Sequence, residues 1–182
     1  MHRGRDRRTQ IGIAAAALGF LAALSAFAAP PAASGFWTVA TNFTDDRGHP
    51  VHPSDFVGRR TVVTMAYAAC RRTCSFTLKK LQSMQSQADE RHERLEFVIV
   101  SFDPERDTPA EWARYRRHHG LERPNWHFLS GTRRSTRELA DRIGIGDFWS
   151  YDDHVLHDFA AVVVDDQGHV ERRLRWKDLA ER

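Results

Sequence analysis

The two cysteines of this chain, Cys70 and Cys74, both lie in YAACRRTC, residues 67–74. Three residues separate them, where the common redox pair has two, so the pair can be a disulfide, an exchanging dithiol or half of a metal site. Four positions apart at the start of a helix, the two sulfurs share one side of the first turn and can face one ligand. The helix N-terminus favours a thiolate there, and Arg71 and Arg72 add positive charge. Thiolates bind soft metals and attack disulfides. A purely structural disulfide would close only a small loop, worth ~2 kcal/mol on the chain-entropy model.

Two thiolates leave most metals under-coordinated, and histidine is the usual third donor. Among ten histidines, His154 and His157 stand immediately before an apolar run, where the start of a strand can approach the cysteine loop. His49 and His52 belong to a hairpin, while His92, His118 and His119 fall at helix ends or on polar faces, and these five are set aside.

The elements that must position these groups are readable. RTVVTMAY (60–67) and LEFVIVSF (95–102) read as buried strands, being rich in β-branched residues and mostly apolar. Between them, Phe76, Leu78, Leu81, Met84 and Ala88 recur at helical spacing and predict a helix from about Arg72 to Arg91. Asp107-Thr108-Pro109 opens a helix through His119, with Pro109 at its first position, Asp107 as its expected cap and Gly120 as its stop. Further on come an extended segment from Asn125 to Leu129, a helix from Thr136 to Ile143, a strand from Asp158 to Val164, a turn at Asp165–Gly168 and a partner strand to Arg175. Ahead of all these, alternation from Phe36 to Phe43 and the turn residues Asp45–Gly48 predict an N-terminal β-hairpin. Trp112, Trp126, Trp149 and Trp176 read as core or rim residues, and Phe148, Trp149 and Tyr151 as a shield or partner surface ahead of the histidines. The pattern is α/β: a mixed central sheet flanked by helices, whose strand feeding Cys70 puts the cysteines at its carboxyl end, where sites in open sheets gather.

The first 28 residues form a separate unit. Four arginines in MHRGRDRRTQ precede an apolar run from Ile11 to Ala29, and Ala26-Phe27-Ala28 offers small residues for signal-peptidase cleavage after Ala28. If uncut, a run of about 20 residues is long enough to anchor in a bilayer. Export follows, to the periplasm or to the periplasmic face of the inner membrane. Residues 29–35 are then a linker and 36–182 the folded domain. The full chain carries a formal charge of +3, but residues 1–28 hold four Arg and one Asp, which leaves 23 basic and 23 acidic residues in the remainder. A neutral domain gives no electrostatic footprint for nucleic acid.

Taken in order, Gly48-x-x-Val51-x-x-x-Asp55-Phe56-x-Gly58, Cys70-x-x-x-Cys74, SFDPERDTP (101–109) and a histidine before an apolar strand resemble the SCO/SenC family. The resemblance runs from about Phe36 to about Arg175. It implies a thioredoxin-like fold and a copper protein of cytochrome c oxidase assembly. It further implies that Cys70, Cys74 and one distal histidine bind Cu(I) or Cu(II), with the CuA subunit of an oxidase, or another copper or thiol protein, as partner. Strand register and the distance to Gly168 select His157 for that donor, with His154 as runner-up because Asp153 precedes it. The SFDPERDTP loop is implied to lie near the metal. Arg71 and Ser75 depart from the family's pattern of proline after each cysteine, which leaves the loop less stiff and more electropositive. The same cysteines would serve a thiol–disulfide oxidoreductase that reduces a partner during assembly.

Overall fold

The computed structural model describes residues 35–38, 42–70, 73–146, 148–151, 154–156 and 160–175. In chain order the regular elements are β1 (Phe43–Asp45), β2 (Pro50–Val51), β3 (Thr61–Ala66), α1 (Thr73–Glu90), β4 (Glu96–Ser101), α2 (Pro109–His119), β5 (Trp126–Ser130), α3 (Arg133–Ile143), β6 (Trp149–Tyr151), β7 (His154–Leu156), β8 (Ala160–Val164) and β9 (Val170–Arg175). Seven strands form one mixed sheet in the order β2-β1-β5-β4-β3-β8-β9. β3, β4 and β5 run parallel, and β1, β8 and β9 join antiparallel. This is the expected thioredoxin-like arrangement, N-terminal hairpin included.

Alternation along the central strands explains why helices cover both faces. Val63, Met65, Val98, Val100, Ala160 and Val162 point to a core shared with Leu139, Ala140 and Ile143 of α3. Their neighbours Val62, Ala66, Phe97, Ile99, Ala161 and Val163 point to a second core with Leu78 and Leu81 of α1 and Trp112 and Tyr115 of α2. Strands covered on both sides lose the apolar–polar alternation of a half-exposed sheet, hence the largely apolar runs in which even Thr61, Thr64 and Ser101 are buried. Two of the helices that cover them end in glycine: Gly120 and Gly144 take left-handed conformations that close α2 and α3.

Two turns use one device. Asp45 accepts the N–H groups of Arg47 and His49, and Asp165 those of Gln167 and His169, with Gly48 and Gly168 at φ 84° and 85°.

Two expectations are corrected and one element is added. The alternation from Phe36 toward Phe43 does not make a long strand: Gly35–Trp37 is a short 3-10 turn and β1 begins at Phe43. Phe36 and Trp37 are buried against the α3-side core, and Trp37 packs on Phe56, so tertiary contact overrides the local pattern. α3 starts at Arg133, one turn earlier than Thr136, because Thr132 and Ser135 form a reciprocal capping box. The short β6–β7 hairpin was not foreseen; it forms a two-stranded sheet of its own.

Candidate metal centre

The cysteine loop begins where β3 ends. Cys70 donates its N–H to the Tyr67 carbonyl at 3.1 Å, closing a turn over residues 67–70. Its side chain is half-buried and packs against both cores, so it sits where the two layers meet at the carboxyl end of the sheet. Cys74 lies in the first turn of α1, as its spacing predicts. The 18-residue helix aims its positive end at this loop.

The strand that follows the two candidate histidines is β8. Antiparallel pairing sets Ala161 beside Thr64, and the Thr64 hydroxyl donates to the Ala160 carbonyl at 2.9 Å. β8 therefore starts at the same end of the sheet at which β3 delivers Cys70. His154 is in β7, paired in register with Tyr151. His157 lies outside the described residues, as do residues 1–34 and Trp176. Among the described residues no three His, Cys, Asp or Glu side chains converge on a metal-sized site. Of the candidate donors, Cys70 has a described side chain; Cys74 and His154 are located by backbone alone. No helix among the described residues is long and apolar enough to cross a membrane.

Phe148 ties the β6–β7 hairpin down. Its ring stands 5.0 Å from Phe102 at the end of β4, and the Arg137 guanidinium of α3 lies 4.1 Å over its centroid and donates to its carbonyl at 3.3 Å. Val155 of β7 is buried in the α3-side core. Trp112 and Trp126 are core residues, as expected. Among the histidines set aside, His49 lies 3.6 Å from the Asp45 carboxylate and the His119 ring lies 4.4 Å from that of Tyr115, tilted by 53°.

Asp107 has a different task from the one its sequence suggests. Pro109 occupies the first helical position, which makes Thr108 the cap; its hydroxyl accepts from the Glu111 N–H at 3.3 Å. Asp107, 3% exposed, instead turns inward. One carboxylate oxygen accepts the Ala68 N–H at 3.0 Å, and the other accepts the Ser101 hydroxyl at 2.5 Å. The SFDPERDTP loop is thereby fastened to the cysteine loop two residues before Cys70. A carboxylate before Thr-Pro was the available signal: with Pro at the first position, only the residue next to it can cap. Arg106 pairs with Asp103 at 3.5 Å, but the arginine is exposed and the bond adds little.

Burial pushes the Asp107 carboxyl up to about 6, against the Ser101 and Ala68 hydrogen bonds that favour its charge. Because the folded value lies above the unfolded one, the native state holds the proton more tightly. The stabilisation is complete below about pH 4 and is lost as pH rises through about 6. Urea unfolding of the wild type and Asp107→Asn from pH 3.5 to 7 should show the wild type losing about 2–3 kcal/mol relative to the variant across that window. A constant difference would mean that Asp107 titrates normally.

Comparisons agree with this fold. The family model described as SCO1/SenC matches residues 38–182. No curated protein matches in sequence. Similar solved structures include Arabidopsis thaliana ScoI with copper bound, at TM-score 0.66 and 19% identity, covering 75% of this chain and 85% of that one. A SCO1/SenC family lipoprotein from Bacillus anthracis aligns at TM-score 0.68 and 20% identity, covering 74% and 81%. BsSco, described as a cytochrome c oxidase assembly protein with a disulfide switch, aligns at 0.64 and 19%, covering 74% and 80%. With a seven-stranded thioredoxin-like sheet, a Cys-x-x-x-Cys loop at its carboxyl end and a family match over nearly all of the folded domain, the chain belongs to the SCO1/SenC family.

Proposed function

We propose that the protein is a copper chaperone: it holds one copper ion through Cys70, Cys74 and His157 and passes it to the CuA subunit of a cytochrome c oxidase. The carrying observation is the half-buried Cys70 where both cores meet, at the end of β3 beside which β8 begins. Two sulfurs and one imidazole suit Cu(I), with room left for an incoming thiolate; the same donors also accept Cu(II). Delivery is then ligand exchange, in which partner thiolates replace Cys70 and Cys74 on the ion. His157 lies between Leu156 and Ala160, three residues from β8, whereas His154 belongs to a hairpin separate from the main sheet; this favours His157.

The family's copper-bound ScoI and its assembly protein BsSco support the copper reading. The lipoprotein relative supports an exported protein, periplasmic or held at the inner membrane through residues 11–29.

A second reading draws on the same half-buried thiol ahead of a helix N-terminus: Cys70 and Cys74 reduce a partner disulfide. Two thiols here become one disulfide, and two electrons and two protons pass to the partner's sulfurs. Competition of the reduced full-length chain against a chromophoric Cu(I) chelator separates the readings. Copper delivery predicts one tightly held Cu(I) per chain, a large loss in His157→Ala and little change in His154→Ala. Thiol exchange that is unaffected by His157→Ala, in a chain that holds no copper, would favour the second reading.

A further inference from the structure

We propose that Asp107 is a positioning residue for the thiol site: by accepting the Ala68 N–H, its buried carboxylate holds the Tyr67–Cys70 turn in the shape that presents Cys70. The inference rests on the reading that Cys70 is a working thiol.

Tyr67 and Cys70 pack against the cores at the two ends of this turn, and between them the chain depends on its backbone. Ala68 and Ala69 carry almost no side chain to pack, and Arg71 and Ser75 after the cysteines lack the ring that would lock φ. Its backbone bonds therefore set its shape: Phe102 N–H to Ala66 carbonyl at 2.9 Å, Cys70 N–H to Tyr67 carbonyl at 3.1 Å, and Ala68 N–H to Asp107 at 3.0 Å. Of these, the Asp107 bond alone comes from a side chain, and that side chain is unusually well held. Ser101, which donates to the carboxylate, also accepts the Asp103 N–H at 2.8 Å, and its carbonyl accepts the Thr136 hydroxyl at 3.4 Å. The Asp107 carbonyl accepts the Ser130 hydroxyl at 2.5 Å, and Ser130 accepts the Trp112 indole N–H at 2.9 Å. The carboxylate is thus referenced to β4, β5, α2 and α3 together. Burying a carboxylate is costly, and α2 has no use for it because Thr108 supplies the cap. Residues that orient donors from behind typically change metal affinity by about 10–100-fold when lost.

A loop held for sharing a metal opposes disulfide closure, because two sulfurs on one ion stand farther apart than the ~2.05 Å of an S–S bond. Removing the tether should therefore weaken metal binding and favour the disulfide. The full-length chain is compared as wild type, Asp107→Ala, Asp107→Asn and Gln85→Ala. Gln85 accepts from Asn125 and Trp126 away from the cysteine loop and serves as a control for lost stability. Three quantities are read: Cu(I) affinity, hydrogen exchange at the Ala68 amide, and the dithiol–disulfide equilibrium in dithiothreitol buffers. In that equilibrium each chain gives two electrons and two protons to one oxidised dithiothreitol.

Asp107→Ala should lower Cu(I) affinity about tenfold and favour the disulfide about tenfold, a potential about 30 mV more negative. Asp107→Asn keeps an acceptor for Ala68 and should stay within about threefold of wild type on both. Gln85→Ala should lose stability without moving either. Wild-type values in Asp107→Ala, an equal loss in Asp107→Asn, or an equal shift in Gln85→Ala would each overturn the proposal. If Asp107→Ala does not fold, Asp107→Ser, too short to reach Ala68, takes its place. Rapid exchange of the wild-type Ala68 amide would overturn the proposal with no variant at all. If the wild type holds no copper, the copper reading fails by itself, and the disulfide equilibrium still decides the role of Asp107.

Discussion

Cys70→Ala is expected to lower Cu(I) affinity by at least about a hundredfold, close to 3 kcal/mol of binding free energy. Residues behind a donor already cost about 10–100-fold when removed, so the donor itself should cost no less. The fold should tolerate the change. Cys70 is half-buried and at the rim of both cores, and trimming one sulfur there should cost about 1 kcal/mol or less. Chelator competition for affinity and urea unfolding for stability separate the two effects. Wild-type affinity in a folded Cys70→Ala would remove Cys70 from the site, and a collapse of stability matching the lost binding would make its role structural.

Trp112→Ala should produce the largest loss of stability, about 3–5 kcal/mol. Its side chain is fully buried in the α1/α2-side core, with its ring 5.2 Å from Phe128 and 5.5 Å from Tyr115. Its indole N–H also donates to Ser130, which in turn donates to the Asp107 carbonyl, so the base of the Asp107 network goes with it. Trp112→Phe keeps most of the apolar contact and removes the N–H, and should cost only about 1–2 kcal/mol. Equal losses in the two variants would show that the hydrogen bond, and not the packing, is what the core needs at this position. Thermal or urea unfolding reports both.

What could be read in advance follows from where burial is symmetrical. β3, β4 and α1 stand within a residue or two of their expected ends, since strands covered on both faces and a helix with a clear apolar stripe leave strong patterns. The placement of Cys70 at the carboxyl end of β3 followed from the same runs. Phe36 and Trp37 misled because aromatic residues that pack against a distant element can mimic strand alternation. β6 and β7 were missed because three-residue strands joined through Asp152-Asp153 carry no turn glycine. Spacing assigns Asp107 to the helix it precedes; its partners are Ser101, at the start of the same SFDPERDTP run, and Ala68, 39 residues away, a pairing that local spacing does not reveal. The preference for His157 over His154 rests on register, on the family pattern and on the place of His154 in a hairpin separate from the main sheet.

The central claim is a copper ion held by two thiolates and one imidazole. X-ray absorption at the copper edge of the reduced, Cu(I)-loaded full-length chain tests it most directly. The account predicts one copper per chain with two sulfur scatterers and one nitrogen scatterer, the nitrogen lost in His157→Ala and kept in His154→Ala. A copper shell without sulfur, or a nitrogen shell that survives His157→Ala and disappears in His154→Ala, would contradict it.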